Sequence, residues 1–137
     1  MQNNEKSLAR LAAIQTNYSR NIDKEQDVDN ILDLTVEEIK QERGSLKKSF
    51  AKKLIGLAIE NEESLNSTIN QNSQKTENKN VNVLVNSILQ VALSELMVDE
   101  KLDRKIIVSE YVNLTSDFFG DKETGYVNAV LDKFIKS

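Results

Sequence analysis

VNVLVNSILQVALSELM occupies residues 81–97, and its reading as strand or helix decides the fold. Val81, Val83, Leu84, Val85, Ile88, Leu89, Val91, Ala92, Leu93, Leu96 and Met97 leave little polar surface. Valine favours strands. The length of the run and its continuation through Ser94-Glu95-Leu96-Met97 favour a helix. A helix that is apolar nearly all round belongs at the centre of a bundle. Glu95 lies close to that apolar surface, and a carboxylate there predicts a partner, either a backbone N–H or a neighbouring cation.

Outward from this segment the spacing stays helical. Toward the C-terminus, Ile107, Tyr111, Leu114 and Phe118 form one stripe, and Gly120 marks its stop. Val127, Val130, Leu131, Phe134 and Ile135 follow at i, i+3, i+4, i+7 and i+8. Toward the N-terminus, residues 70–82, NQNSQKTENKNVN, are almost free of apolar side chains and read as a loop between two subdomains. Leu65 and Ile69 predict a short helix. A further helix carries Phe50, Leu54, Leu57 and Ala58 on one face, with Ser45 as its expected N-cap. Residues 27–42 put Val28, Ile31, Leu32, Val36 and Ile39 inward, and Gly44-Ser45 ends that helix. In KSLARLAAIQTNY, residues 6–18, Leu8, Leu11, Ala12, Gln15 and Tyr18 share a face, which predicts that Arg10 is exposed. The sum is an all-α chain of about seven helices in a single domain spanning 1–137. An N-terminal bundle covers about 1–72, the polar loop about 70–82, and a C-terminal bundle about 83–137.

Composition agrees and narrows the chemistry. The 137 residues include no proline and only four glycines, a balance that favours helices. With no cysteine there are no disulfides and no thiol catalysis, and with no histidine the commonest general base and metal ligand are missing. There is no phosphate-binding glycine loop, no nucleophile elbow, and no carboxylate pair in an apolar setting. These absences argue against an enzyme, and no cofactor is expected. No apolar run reaches the length of a signal or a membrane span, so the expected compartment is the cytoplasm, with no membrane partner. The net charge of −4 is unevenly spread: residues 21–43 are strongly acidic, and Lys47, Lys48, Lys52 and Lys53 form a basic block.

Binding remains. Single-stranded RNA needs cations for phosphates and aromatic faces for unstacked bases. Lys6, Arg10 and Lys122 are candidate cations, and Tyr18 and Tyr126 are candidate platforms. Tyr18 also continues the apolar stripe of its helix, so core packing competes with function there.

Two stretches together resemble the bacterial NusB family. Along the first helix the resemblance rests on Lys6, Ala9-Arg10, Ala13-Ile14-Gln15 and Tyr18. Near the C-terminus it rests on Ile106-Ile107, Glu110-Tyr111, Phe118-Phe119-Gly120 and Tyr126-Val127-Asn128-Ala129-Val130-Leu131-Asp132. ILQVALSEL at 88–96 and FAKKLIGLAIEN at 50–61 also match family blocks, and the paired phenylalanines look most like alphaproteobacterial members.

The resemblance implies two packed three-helix bundles and a transcription antitermination factor without catalytic activity. Such a factor binds boxA RNA together with NusE, a small-subunit ribosomal protein. The pair joins NusA, NusG and RNA polymerase on ribosomal RNA operons. Some family members dimerise through the RNA face. Carried onto this chain, Lys6 and Arg10 meet phosphates, Tyr18 lies near the junction of RNA and NusE, Asp121 and Lys122 lie in a loop against the RNA, and Tyr126 stacks on a base. The chain departs from the family in its thinned N-terminal arginines, which predicts weaker and less salt-sensitive RNA binding alone. Ala129 and Ser94 also depart, standing for a glycine and a frequent tyrosine. A helical adaptor that has lost RNA binding is the competing reading. A NusB-like domain preceding an RNA methyltransferase ranks last, since residues up to Ser137 leave no room for one.

Overall fold

The structure, a computed structural model, describes residues 2–73, 82–99 and 101–137. Its seven helices are α1 (Gln2–Ile22), α2 (Val28–Arg43), α3 (Lys48–Glu60), α4 (Glu62–Asn72), α5 (Val83–Val98), α6 (Arg104–Phe118) and α7 (Asp121–Lys136). There is no strand among the described residues.

Local chemistry sets most of the boundaries. Asp27 caps α2 by accepting from the N–H groups of Asp29 and Asn30, Asn82 caps α5 through Leu84 N–H, and Asp103 caps α6 through Lys105 N–H. Gly44 ends α2 at φ 117°, a conformation that favours glycine, and its N–H bonds to the Lys40 carbonyl. Ser45 does not cap α3 as its residue type suggested. The helix starts at Lys48, with Lys47 in the cap position and no side-chain cap bond. The delay has a cause: Leu46 turns into the core, and Lys47 N–H bonds to the Glu5 carbonyl of α1.

The polar segment 70–82 begins as helix, because buried Ile69 carries α4 on to Asn72. Residues 74–81 of that expected loop lie outside the described residues. Asp121 and Lys122 are not in a loop either. Gly120 takes the cap position, and both residues belong to the first turn of α7. Phe118 leaves the expected stripe for the surface at 38% exposure, and Phe119 packs against the core instead.

Two helices are central. The expected one, α5, is buried from Ser87 to Leu96 and packs against α1, α3, α4, α6 and α7. The other is α1, buried without a break from Leu8 to Ile14 and flanked by α2, α3 and α5. Ala9, Ala12 and Ala13 are fully buried, and their small side chains let several helices approach at once. Helices α5, α6 and α7 pack mutually. One continuous apolar cluster joins every helix. Leu89 and Leu93 are fully buried in it, and truncating either to alanine should cost about 2–5 kcal/mol.

Candidate nucleic-acid interface

The residues expected to touch RNA come from two places, the outer turns of α1 and the start of α7. No hydrogen bond, ion pair or ring contact joins the two sets among the described residues.

On α1, Lys6 is half-buried. Its Nζ lies 5.0 Å from the centre of the Phe50 ring and 3.8 Å from Asp99 Oδ2. Asp99 is held below its ordinary pKa: burial opposes its charge, and hydrogen bonds from Leu102 and Lys101 N–H, with the charge of Lys6, outweigh that.

Arg10 corrects the sequence expectation outright. It is 2% exposed. Its Nε and Nη2 donate to Glu95 Oε1 and Oε2 at 2.8 and 2.7 Å, a two-pronged pair. Nη1 stands 3.6 Å from Glu110 Oε2, which also accepts from Ser7 Oγ at 3.0 Å. Tyr111 donates its hydroxyl to Glu95 Oε1 at 2.7 Å. Phe50 and Tyr111 flank the guanidinium, with ring centres at 5.7 and 6.0 Å.

This is the partner that the carboxylate of α5 required. Burial works against the Arg10 charge, yet the hydrogen bonds and attraction of Glu95 prevail and raise its pKa. Burial, then the Glu95 charge, pushes the Tyr111 hydroxyl well above 10.0. Nε and Nη2 of Arg10 are committed to Glu95, and its guanidinium is shut off from solvent. It ties α1 to α5 and α6.

The far end of α1 is fastened differently. Asn17 Nδ2 donates to the Ser87 carbonyl at 3.1 Å and to Gln90 Oε1 at 2.9 Å. Asn21 Nδ2 reaches Ser87 Oγ and Gln90 Oε1, and Gln90 Nε2 passes on to Asn66 Oδ1 of α4. Arg20 donates twice to Asn17 Oδ1 and once to Glu62, which also binds Lys24. The Lys24 hydrogen bond, set against partial burial and aided by Arg20, holds the Glu62 carboxyl below its ordinary value. Tyr18, beside this ladder in sequence, is 37% exposed.

On α7, Asp121 and Lys122 are exposed. Tyr126 is not the outward platform expected of it. It is 8% exposed, and its buried hydroxyl has no hydrogen-bond partner among the described residues. With Val127, Val130 and Leu131 it completes a buried stripe at i, i+1, i+4 and i+5. A polar cleft of about 400 Å³ opens between α1, the end of α2 and α6, with Ser7, Arg43, Glu110 and Asp117 in its walls. Sequence reasoning missed Phe50 as the ring under Lys6, and the amide partners of Asn17. No described helix is long and apolar enough to cross a membrane.

Comparison with known proteins places this geometry. A family model described as the NusB family matches residues 7–136. The transcription antitermination protein NusB of Rickettsia bellii is 29% identical over 139 residues, covering 95% of this chain and 89% of that protein. The protein of the same name from Rickettsia rickettsii is 28% identical over 144 residues, covering 97% and 92%. Among solved structures, NusB of T. maritima superimposes with a TM-score of 0.80 at 19% identity, covering 96% of this chain and 90% of that one. A chain in the crystal structure of a plectonemic RNA supercoil gives 0.81 at 20% identity, covering 95% and 93%. At such identities the two structures speak to the fold alone.

Proposed function

The chain belongs to the NusB family, and from that premise we propose that it is a transcription antitermination factor that binds boxA RNA jointly with NusE. The observation that carries this reading is the family match from residue 7 to residue 136, which includes both α1 and α7. The bound pair joins RNA polymerase with NusA and NusG and keeps it elongating through ribosomal RNA operons. The chain contributes contacts and no catalytic step.

Lys6, Tyr18 and Lys122 retain solvent-facing surface and serve as the RNA-side contacts, with Asp121 beside Lys122. Arg10 and Tyr126 act from inside, by fixing where α1 and α7 sit. Shared ordering makes the two proteins cooperative on RNA, each weak alone and tight together.

Fluorescence anisotropy of a labelled boxA RNA, with and without NusE, tests this. Tight binding is expected only with both proteins, and Lys6→Ala, Tyr18→Ala and Lys122→Ala should each weaken it. Burial of Arg10 and Tyr126 favours one competing reading, a protein adaptor without RNA contacts. Association with NusE that leaves RNA affinity unchanged, and indifference to all three substitutions, would establish that reading instead.

A further inference from the structure

The basic block of α3 has no role in packing. Lys47, Lys48, Lys52 and Lys53 are all exposed. Lys48 pairs with Asp33 of α2. Lys47, Lys52 and Lys53 form no ion pair with any described residue. Three cations without an ion-pair partner, close together in sequence on a chain of net charge −4, form a local point of attraction for a polyanion.

Their position gives them a use. The hydrogen bond of 3.4 Å from Lys47 N–H to the Glu5 carbonyl pins the start of α3 to the first turns of α1. Phe50 then lies under Lys6. Lys53 stands three residues after Phe50 on α3 and so neighbours that ring on the helix surface, and Lys47, in the cap position before the helix, is held at α1 by its own N–H. Lys52 stands four residues after Lys48 and shares its side, turned toward α2 as the Asp33 pair shows. Lys47, through Glu5, and Lys53, through Phe50, thus adjoin the part of α1 that carries Lys6, and Lys52 falls on the side of Lys48.

We propose that Lys6, Lys47 and Lys53 form one cationic strip across the α1–α3 join that binds phosphates of single-stranded RNA. The proposal rests on the RNA-binding reading above and names residues for it. Arg10, locked on Glu95, leaves Lys6 as the cation α1 offers here, and α3 supplies the others. Such contacts are blind to base sequence.

The test uses the full chain with NusE. Anisotropy titrations compare boxA RNA with a scrambled single strand of equal length across a salt series. Lys47→Gln/Lys53→Gln should weaken both RNAs by the same factor and make the slope of log affinity on log salt shallower by about 1.4, two contacts at about 0.7 each. Lys52→Gln should leave the slope unchanged, and Lys47→Arg/Lys53→Arg should restore it. NusE affinity without RNA should not move.

A double glutamine variant with the wild-type slope overturns the strip while leaving RNA binding intact. A loss of NusE affinity without a change in RNA binding makes the strip a protein contact, and overturns it too. Failure of the wild-type pair to bind boxA RNA overturns the antitermination reading itself.

Discussion

Helix α1 is bolted to α5 at both ends by opposite kinds of chemistry. At the Arg10 end the fastening is ionic: one guanidinium, one fully buried carboxylate and a tyrosine hydroxyl, with few partners and full charges. At the Asn17 end it is a ladder of neutral amides in which Gln90 serves Asn17, Asn21 and Asn66, with the buried Arg20 guanidinium on Asn17 and the half-exposed Glu62 beyond it. A buried ion pair returns little net stability for its desolvation, but it penalises the loss of one member severely. An amide ladder spreads smaller losses over many bonds. The two ends should therefore fail differently.

The largest difference is expected from Arg10→Ala. It leaves Glu95 buried without its cation and should cost about 3–5 kcal/mol, read from urea unfolding. The apolar replacement Arg10→Met/Glu95→Leu/Tyr111→Phe should recover most of that loss. A single-variant cost below about 1 kcal/mol would show that the junction relaxes to admit solvent.

Tyr111→Phe keeps the ring and removes a hydrogen bond to a charged group, at about 1.5–3 kcal/mol. It carries a pH signature as well. The folded hydroxyl is held protonated to well above 10.0. Its contribution is thus present below about pH 10, where an unfolded tyrosine ionises, and is lost as pH rises beyond it. Wild type should lose stability in that alkaline range, and Tyr111→Phe should lose less.

Asn17→Ala strips the hub of the ladder and should cost about 1–3 kcal/mol with no such alkaline signature. The smallest effect belongs to the ladder's charged rim. The depressed Glu62 pKa means that its pairing with Lys24 and Arg20 contributes above the ordinary value of 4.5 and is lost as pH falls through the lowered one. Solvent screening keeps that contribution below about 1 kcal/mol. Glu62→Gln should flatten the acid limb of a stability–pH curve. An unchanged limb would take Glu62 out of the linkage.

What the sequence made legible follows the same division. Apolar spacing found α2, α4, α5 and α7 because their buried faces are made of apolar residues, and Glu95 announced its need for a partner by sitting in an apolar helix. The polar side of α1 stayed hidden. Periodicity counts apolar residues, so Arg10 read as surface, and Asn17 and Arg20 drew no expectation, although all three are buried. A clue was present in Ala9 and Ala13, small residues next to Arg10 in the chain and on the helix, which fit a helix enclosed on several sides. Tyr126 was misjudged for another reason. Its spacing of four to Val130 places it on the core stripe, and an aromatic at the edge of a motif was read as a platform. The role of Lys47 and Lys53 was out of reach, because nothing local tells that α3 begins against Glu5.

The Arg10–Glu95 pair also sets a clock on synthesis. Its members are 85 residues apart, and at about 5–20 residues per second a ribosome needs roughly 4–17 s between them. Through that interval α1 has emerged with its guanidinium in water, and the helix that will enclose it is still being made. The first helix of the chain is thus among the last to be completed.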